Sequence, residues 1–161
     1  MEGACGKILD TDDPRVVIKK VHRRARAQQR TTSHRAPEQA RIQKWAANLC
    51  HEEHFRILFV PRAWDIQEHQ YKMERIDVSR PLEYSVLGEH PVLTELRAFY
   101  TAGKKAGIFP ADYELYEQPD GRVAMVDFDK FATWEKEGIV SFPWGLLVTE
   151  EQILSDLPFK I

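Results

Sequence analysis

Three charged residues stand beside apolar stretches of this chain, and their types suit a site that binds an anion together with a hard cation. Lys19 directly follows the apolar run Val16-Val17-Ile18, Glu38 precedes an apolar helical stripe, and Asp127 follows another apolar run. A lysine can neutralise an anion, and a carboxylate can pair with a lysine or bind a hard cation. Such groups need partners, because an unpaired charge in an apolar environment is costly.

The strand that would carry Lys19 can be predicted from its neighbours. The β-branched run before Lys19 is typical of a buried strand. The polar residues 10–14 predict a turn, which pairs this strand with an earlier one that contains Ile8 and Leu9. We therefore expect Lys19 at the end of the second strand of a hairpin.

The helix that would carry Glu38 begins near Pro37, because proline suits the first helical position. Its apolar residues recur at helical spacing and form a buried stripe: Ile42, Trp45, Ala46 and Leu49. Glu38 lies four residues before Ile42. We therefore expect Glu38 to project from the buried face of this helix and to need a partner there.

The remaining pattern predicts an α+β fold rather than alternating strands and helices. Strands are expected within 55–66 and 69–76, a second helix over about 91–105, and a hairpin of 113–117 with 122–128 around Pro119-Asp120-Gly121. The tail 131–161 is expected to hold one short helix, with Thr149 as N-cap and Gln152 closing a capping box.

Composition predicts a single globular domain over residues 1–161. The chain carries a formal net charge of −2, so no overall field favours nucleic acid or a membrane surface. No apolar run approaches the eighteen residues of a membrane span. The two cysteines, Cys5 and Cys50, form no disulfide framework or zinc set, and the N-terminus does not resemble a signal peptide. These features predict a cytoplasmic protein without a membrane partner.

Several segments of the chain resemble segments of the protein kinase superfamily, and they occur in the same order along the chain. Val16-Val17-Ile18-Lys19 resembles the family's V-A-I-K strand, and Gly3-Ala4-Cys5-Gly6 resembles the second half of its glycine-rich loop. Tyr71-Lys72-Met73-Glu74 resembles the strand that enters the hinge, and 120–128 resembles the hairpin that ends in D-F-G. The resemblance covers residues 3–130. It implies a minimal protein-kinase-like fold, with an antiparallel N-lobe sheet and an αC-like helix in 1–76 and a much reduced C-lobe in 77–161.

The resemblance also implies roles for individual residues in binding ATP and Mg²⁺. Lys19 would contact the α- and β-phosphates and Glu38 would orient it, while Asp127 would hold Mg²⁺. Gly3 and Gly6 would approach the phosphates. Met73 would occupy the gatekeeper position, and the backbones of Glu74 and Ile76 would meet the adenine edge.

Two departures from the family pattern concern catalysis. The D-F-G motif reads Asp127-Phe128-Asp129, and no His-Arg-Asp triplet is present. Counting back from Asp127 through the turn places Glu114 at the position of the metal-binding asparagine and Phe109 at that of the catalytic aspartate. In the alternative register, Asp112 is the catalytic aspartate and Glu117 takes the asparagine position.

Three functions follow as hypotheses. The first is a nucleotide-binding protein that acts as an atypical phosphotransferase, and the second is a catalytically inactive pseudokinase that binds a protein partner. The third is nucleic-acid binding through the basic segment 19–30, which holds six Lys or Arg. The small net charge of the whole chain argues against the third.

Overall fold

A computed structural model describes residues 6–21 and 34–157 of the chain. Gly3, which the resemblance places near the phosphates, lies outside the described residues, as does most of the basic segment 19–30. The described part has an α+β fold, with mostly antiparallel sheets, as the sequence predicts.

The first sheet carries Lys19 on its second strand. Its strands are β1 (Gly6–Asp10), β2 (Val16–Val21), β4 (Ala63–Trp64) and β5 (Gln70–Glu74), in the order β1-β2-β5-β4 and all antiparallel. The predicted hairpin of β1 and β2 is confirmed, and Thr11 and Asp13 hydrogen-bond within its turn. Lys19 lies between Ile8 on β1 and Tyr71 on β5, so strands on both sides fix its position.

Helix α1 (Ala36–Glu52) packs against this sheet and begins where Pro37 predicts. Ala36 and Ala40 face the sheet, where they share a small core with Val17, Tyr71 and Met73. Further along the helix, Ile42 and Ala46 are buried as predicted, and they belong to the larger core. The helix therefore joins the two cores, with small side chains where it lies close to the sheet.

The second half of the molecule packs around helix α2 (Leu93–Ala106), which follows a short 3-10 helix (Tyr84–Glu89). Gly107 ends α2 in the left-handed conformation, with φ 76°, as expected of a glycine after a helix. The predicted hairpin is present as β7 (Glu114–Glu117) and β8 (Val123–Val126), and β3 (Leu58–Phe59) pairs with β8 in parallel. Phe99, Phe128 and Phe131 fill the core between these elements.

The tail contains more structure than the sequence predicts. It was expected to hold one helix, but it also forms three short strands: β9 (Ala132–Lys136), β10 (Ile139–Ser141) and β11 (Leu147–Thr149). Together with β6 (Ile108–Phe109) they make a sheet in the order β11-β10-β9-β6. Strands this short depend on their pairing with β6, which lies far away in sequence, and local patterns therefore did not reveal them.

The predicted helix of the tail is confirmed as α3 (Glu150–Asp156). The hydroxyl of Thr149 accepts a hydrogen bond from the backbone of Gln152, and the Gln152 side chain accepts one from the backbone of Thr149. This is the reciprocal capping box that the sequence predicts. Within residues 6–21 and 34–157, the helices are all too short or too polar to traverse a lipid bilayer.

Candidate functional site

A cleft of about 490 Å³ lies between the first sheet and the hairpin of β7 and β8. Ile8, Val17 and Met73 line it from the sheet, and Tyr116 and Val126 line it from the hairpin. Charged side chains line it as well: Lys7, Asp10, Lys19, Arg75, Glu114, Asp127, Asp129 and Lys130. The cleft therefore offers an apolar surface and a charged surface to one ligand.

Lys19 enters the cleft because of the alternation of β2. Side chains point to opposite faces of a strand in turn, so Lys19 shares the inner face with Val17 and Val21, which are buried. Lys20, the next residue, lies exposed on the other face. The Nζ atom of Lys19 is 3.8 Å from Oδ1 of Asp127, and the Lys19 side chain is only 17% exposed.

Asp127 reaches Lys19 from the first residue after β8. Its backbone has φ 77°, in the left-handed region that residues other than glycine rarely adopt. Such a conformation costs of order 1–3 kcal/mol and persists only where the surrounding structure enforces it. In this conformation Asp127 lines the cleft at the end of the hairpin.

The surroundings of Asp127 disfavour its charge. Burial raises the pKa of its carboxyl group most, and a hydrogen bond with Asp129 raises it further. The positive charge of Lys19 opposes these effects, while the negative charges of Asp129 and Glu114 add to them. Together these effects raise the pKa of Asp127 to about 8, well above that of an ordinary carboxyl group.

This raised pKa predicts how stability depends on pH. The folded protein holds a proton on Asp127 that the unfolded chain releases near pH 4, so the contribution of this group to stability decreases as pH rises from about 4 to 8. We expect Asp127→Asn to lack this contribution to the pH dependence, since asparagine tolerates the left-handed conformation and carries no proton to lose. Its melting temperature should therefore improve relative to the native chain as pH rises from 5 to 8. Thermal unfolding at several pH values measures this, and parallel curves for the two proteins would contradict it.

The structure corrects the expectation for Glu38. This residue does not project from the buried face of α1, because its side chain is 53% exposed and bonds to the ring of His34, with Oε2 2.8 Å from Nδ1. Among the described residues, the carboxylate that pairs with Lys19 is Asp127. One residue along a helix is a rotation of about 100°, and the adjacent Gln39 is the residue that is fully buried.

Gln43, which the sequence did not single out, is the residue through which α1 lines the cleft. Its side-chain amide donates to the carbonyl of Pro61 at 2.8 Å and accepts from the hydroxyl of Tyr71 at 3.1 Å. Both side chains are buried, so this network is shielded from water. One feature of the sequence could have identified Gln43: it lies one turn after Gln39, on the same helix face as the small residues Ala36 and Ala40.

The candidate catalytic positions do not meet in the cleft. Glu114 lines it and accepts a hydrogen bond from the hydroxyl of Tyr116 at 2.8 Å. Asp112 does not line it, because its carboxylate is 64% exposed and pairs with Lys130 at 3.1 Å. Phe109 is buried in the core, and Glu117 bonds to His90 and Arg80. In both registers of the kinase resemblance, the residue at the position of the catalytic aspartate, Phe109 or Asp112, therefore leaves the cleft without a proton acceptor there.

Of the residues predicted to contact the adenine base of the nucleotide, only some lie at the cleft. Met73 and Ile76 line the cleft, whereas the side chain of Glu74 turns away to Arg62. The backbone N–H of Glu74 donates to the carbonyl of Arg62 at 3.1 Å, so this donor is used within the protein.

Gly6 lines the cleft at the start of β1. A Cβ atom on Gly6 would lie 2.7 Å from the carbonyl oxygen of Lys20, which is closer than real contacts allow. The close approach of β1 to β2 therefore accounts for a glycine at this position, and contact with phosphate stays a prediction.

Too few of the carboxylates that line the cleft lie together to bind Mg²⁺ alone, but they could bind it together with a ligand that supplies further oxygen atoms. In the part of the chain that the structure describes, no group of three or more His, Cys, Asp or Glu side chains is arranged to hold a metal ion. Asp127 and Glu114 both line the cleft, however, and Mg²⁺ is commonly bound by one or two carboxylates together with substrate phosphates and water. A metal here would therefore bind with a phosphate-bearing ligand rather than alone.

Comparison of the chain with protein-family models, with curated proteins and with solved structures found no match. The functional argument for this chain therefore rests on the geometry of its own cleft.

Proposed function

We propose that this protein binds ATP, together with Mg²⁺, in the cleft between the first sheet and the β7–β8 hairpin. The observation that supports this most is the meeting of Lys19 and Asp127, which come from distant parts of the chain and lie 3.8 Å apart beside an apolar surface. An apolar wall, a cation and a carboxylate are the three features that a base, its phosphates and their metal require.

The apolar surface of the cleft would contact the base of the proposed ligand, and the charged surface would contact its phosphates and metal. Ile8, Val17 and Val126 would contact the faces of the base, with Met73 at its inner edge. Lys19 would neutralise phosphate oxygens, and Asp127 with Glu114 would hold the Mg²⁺ that the phosphates bring. A cationic or metal partner would also favour the charged form of Asp127, whose pKa is raised in the free protein.

A second proposal, binding without phosphoryl transfer, is favoured by the placement of the candidate bases. Transfer requires a group positioned to accept a proton from the attacking hydroxyl. Phe109 cannot accept one, and Asp112 is held by Lys130 outside the cleft lining. An interaction module that binds nucleotide without turnover accommodates both observations.

Thermal unfolding of the native chain with ATP, with and without Mg²⁺, tests nucleotide binding. A ligand that binds only the folded state raises the melting temperature, and at about 100 times its Kd the gain is about 2.7 kcal/mol. We expect ATP with Mg²⁺ to raise the melting temperature more than ATP alone. No shift with either would overturn the proposal.

Radiolabelled ATP then separates transfer from binding. A shift in melting temperature without transfer or hydrolysis favours the non-catalytic module, and transfer favours the phosphotransferase. A parallel titration with generic oligonucleotides at low salt tests the basic segment 19–30, since electrostatic binding to nucleic acid weakens steeply with salt. Absence of binding at low salt would remove that third hypothesis.

A further inference from the structure

His34 bridges two parts of the molecule that flank the cleft. Its ring is 12% exposed, with Nδ1 2.8 Å from Oε2 of Glu38 and Nε2 2.7 Å from the carbonyl oxygen of Phe131. Its backbone N–H also donates to the carbonyl of Asp129 at 2.9 Å. These bonds join the start of α1 to residues 129–131, which we call the post-Asp127 segment.

Both partners of the ring are acceptors. A carboxylate oxygen and a carbonyl oxygen can each receive a hydrogen bond, but a neutral imidazole has only one N–H to donate. Only the doubly protonated ring can therefore form both side-chain bonds at once. Bonds from a charged donor are also stronger than neutral ones, so protonation completes the bridge and strengthens it.

The bridge connects directly to residues that line the cleft. On one side, α1 carries Gln43 into the cleft, and the Gln39 side chain donates to the carbonyl of His34 at 2.7 Å. On the other side, the post-Asp127 segment begins two residues after Asp127 and is anchored by Phe131, which is fully buried. A shift of this segment relative to α1 would therefore move Asp127 relative to Lys19.

We propose that His34 is a positioning residue for nucleotide binding, whose protonated ring ties α1 to the post-Asp127 segment and so keeps Asp127 beside Lys19. The proposal rests on the nucleotide site described above. It also gives Glu38 a role different from the one expected of it, because Glu38 holds the ring of His34 rather than pairing with Lys19.

Other charged groups lie on the same two elements as His34 and its partners. They are Arg35 at the start of α1 and Asp127, Asp129 and Lys130 on the opposing side. Burial and the neighbouring Asp129 raise the pKa of Asp127 to about 8, and ATP itself has a titratable phosphate, so the affinity of the native chain for ATP is expected to change with pH for several reasons. The informative quantity is therefore the ratio of affinities between the native chain and a His34 variant at each pH.

The experiment measures the Kd of ATP with Mg²⁺ by calorimetry from pH 6 to 8. It compares the native chain, His34→Gln and Glu38→Gln, with His51→Gln as a matched control on the exposed far end of the same helix. We expect His34→Gln to bind about tenfold more weakly than the native chain at pH 6, as for loss of one hydrogen bond from a charged group. Glu38→Gln should weaken binding less, and His51→Gln should not change it.

NMR of the imidazole nitrogens provides a readout that does not depend on nucleotide. We expect both ring nitrogens of His34 to carry a proton in the folded protein, because each of them faces an acceptor oxygen. A single neutral tautomer at pH 6, or nucleotide affinities that are equal for the native chain and His34→Gln, would overturn the positioning role alone. Failure of the native chain to bind ATP would overturn the proposed function and this role with it.

Discussion

Lys19→Met is expected to weaken the binding of ATP about ten- to a hundredfold, the largest effect of any single substitution in the cleft. Lys19 supplies the cation beside Asp127, and hydrogen bonds to charged groups contribute about 1.5–3 kcal/mol each. Methionine keeps most of the side-chain length and its apolar contacts, so the fold should persist. Calorimetric titration with ATP and Mg²⁺ measures the change.

Lys20→Met is the matched control for this substitution. The two lysines are adjacent on β2, but Lys20 is exposed on the face opposite the cleft. We expect its affinity for ATP to stay within about twofold of the native value, since exposed charges at this distance are screened by salt. Equal losses in both variants would indicate a general effect of positive charge, and no loss in either would remove Lys19 from the site.

Phe128→Ala is expected to lower the free energy of unfolding by about 3–5 kcal/mol, as for other large-to-small substitutions of buried aromatic residues. Phe128 is 1% exposed and lies against the ring of Phe131, with centroids 4.8 Å apart. Its removal leaves a cavity in the core at the residue next to Asp127 in the chain, and a loss of this size is a large fraction of the stability of a typical domain. Chemical denaturation followed by tryptophan fluorescence measures it.

Two further variants test whether the loss of stability in Phe128→Ala comes from lost packing. Phe128→Leu fills much of the same volume and should lose clearly less stability than Phe128→Ala. Val86→Ala removes an apolar side chain that is 52% exposed, and we expect a change within about 0.5 kcal/mol. If Phe128→Ala were as stable as Val86→Ala, the Asp127-Phe128-Asp129 turn would not be anchored by the core as the structure indicates.

Lys19→Met and Phe128→Ala both affect the surroundings of Asp127, Lys19 as its partner and Phe128 as its neighbour in the chain. Its left-handed backbone needs a surrounding structure that enforces it, and the buried ring of Phe128 immediately follows it. Phe128→Ala should therefore also weaken ATP binding, whereas Lys19→Met should leave stability nearly unchanged. The pair of measurements thus distinguishes a residue that contacts the ligand from one that holds a neighbour in place.

The local elements of this chain were largely predictable from its sequence. The hairpin before Lys19, the start of α1 at Pro37, the end of α2 at Gly107 and the capping box of Thr149 all follow from interactions within a few residues. These features establish the α+β class. The sequence did not show which face of the strand carries Lys19, because Val16, Val17 and Ile18 are all apolar; the structure places Lys19 on the face of Val17, which lines the cleft.

Tertiary structure decided which groups meet. The sequence pointed to Lys19, Glu38 and Asp127 as one charged site, but a single residue of difference on a helix rotates the side chain by about 100°, and Gln39 rather than Glu38 is buried. Glu38 pairs with His34 instead, and Asp127 takes the place beside Lys19. The strands of the tail likewise depend on pairing with β6. Short-range patterns therefore determined the elements, whereas the partners of the charged groups depended on packing between distant segments.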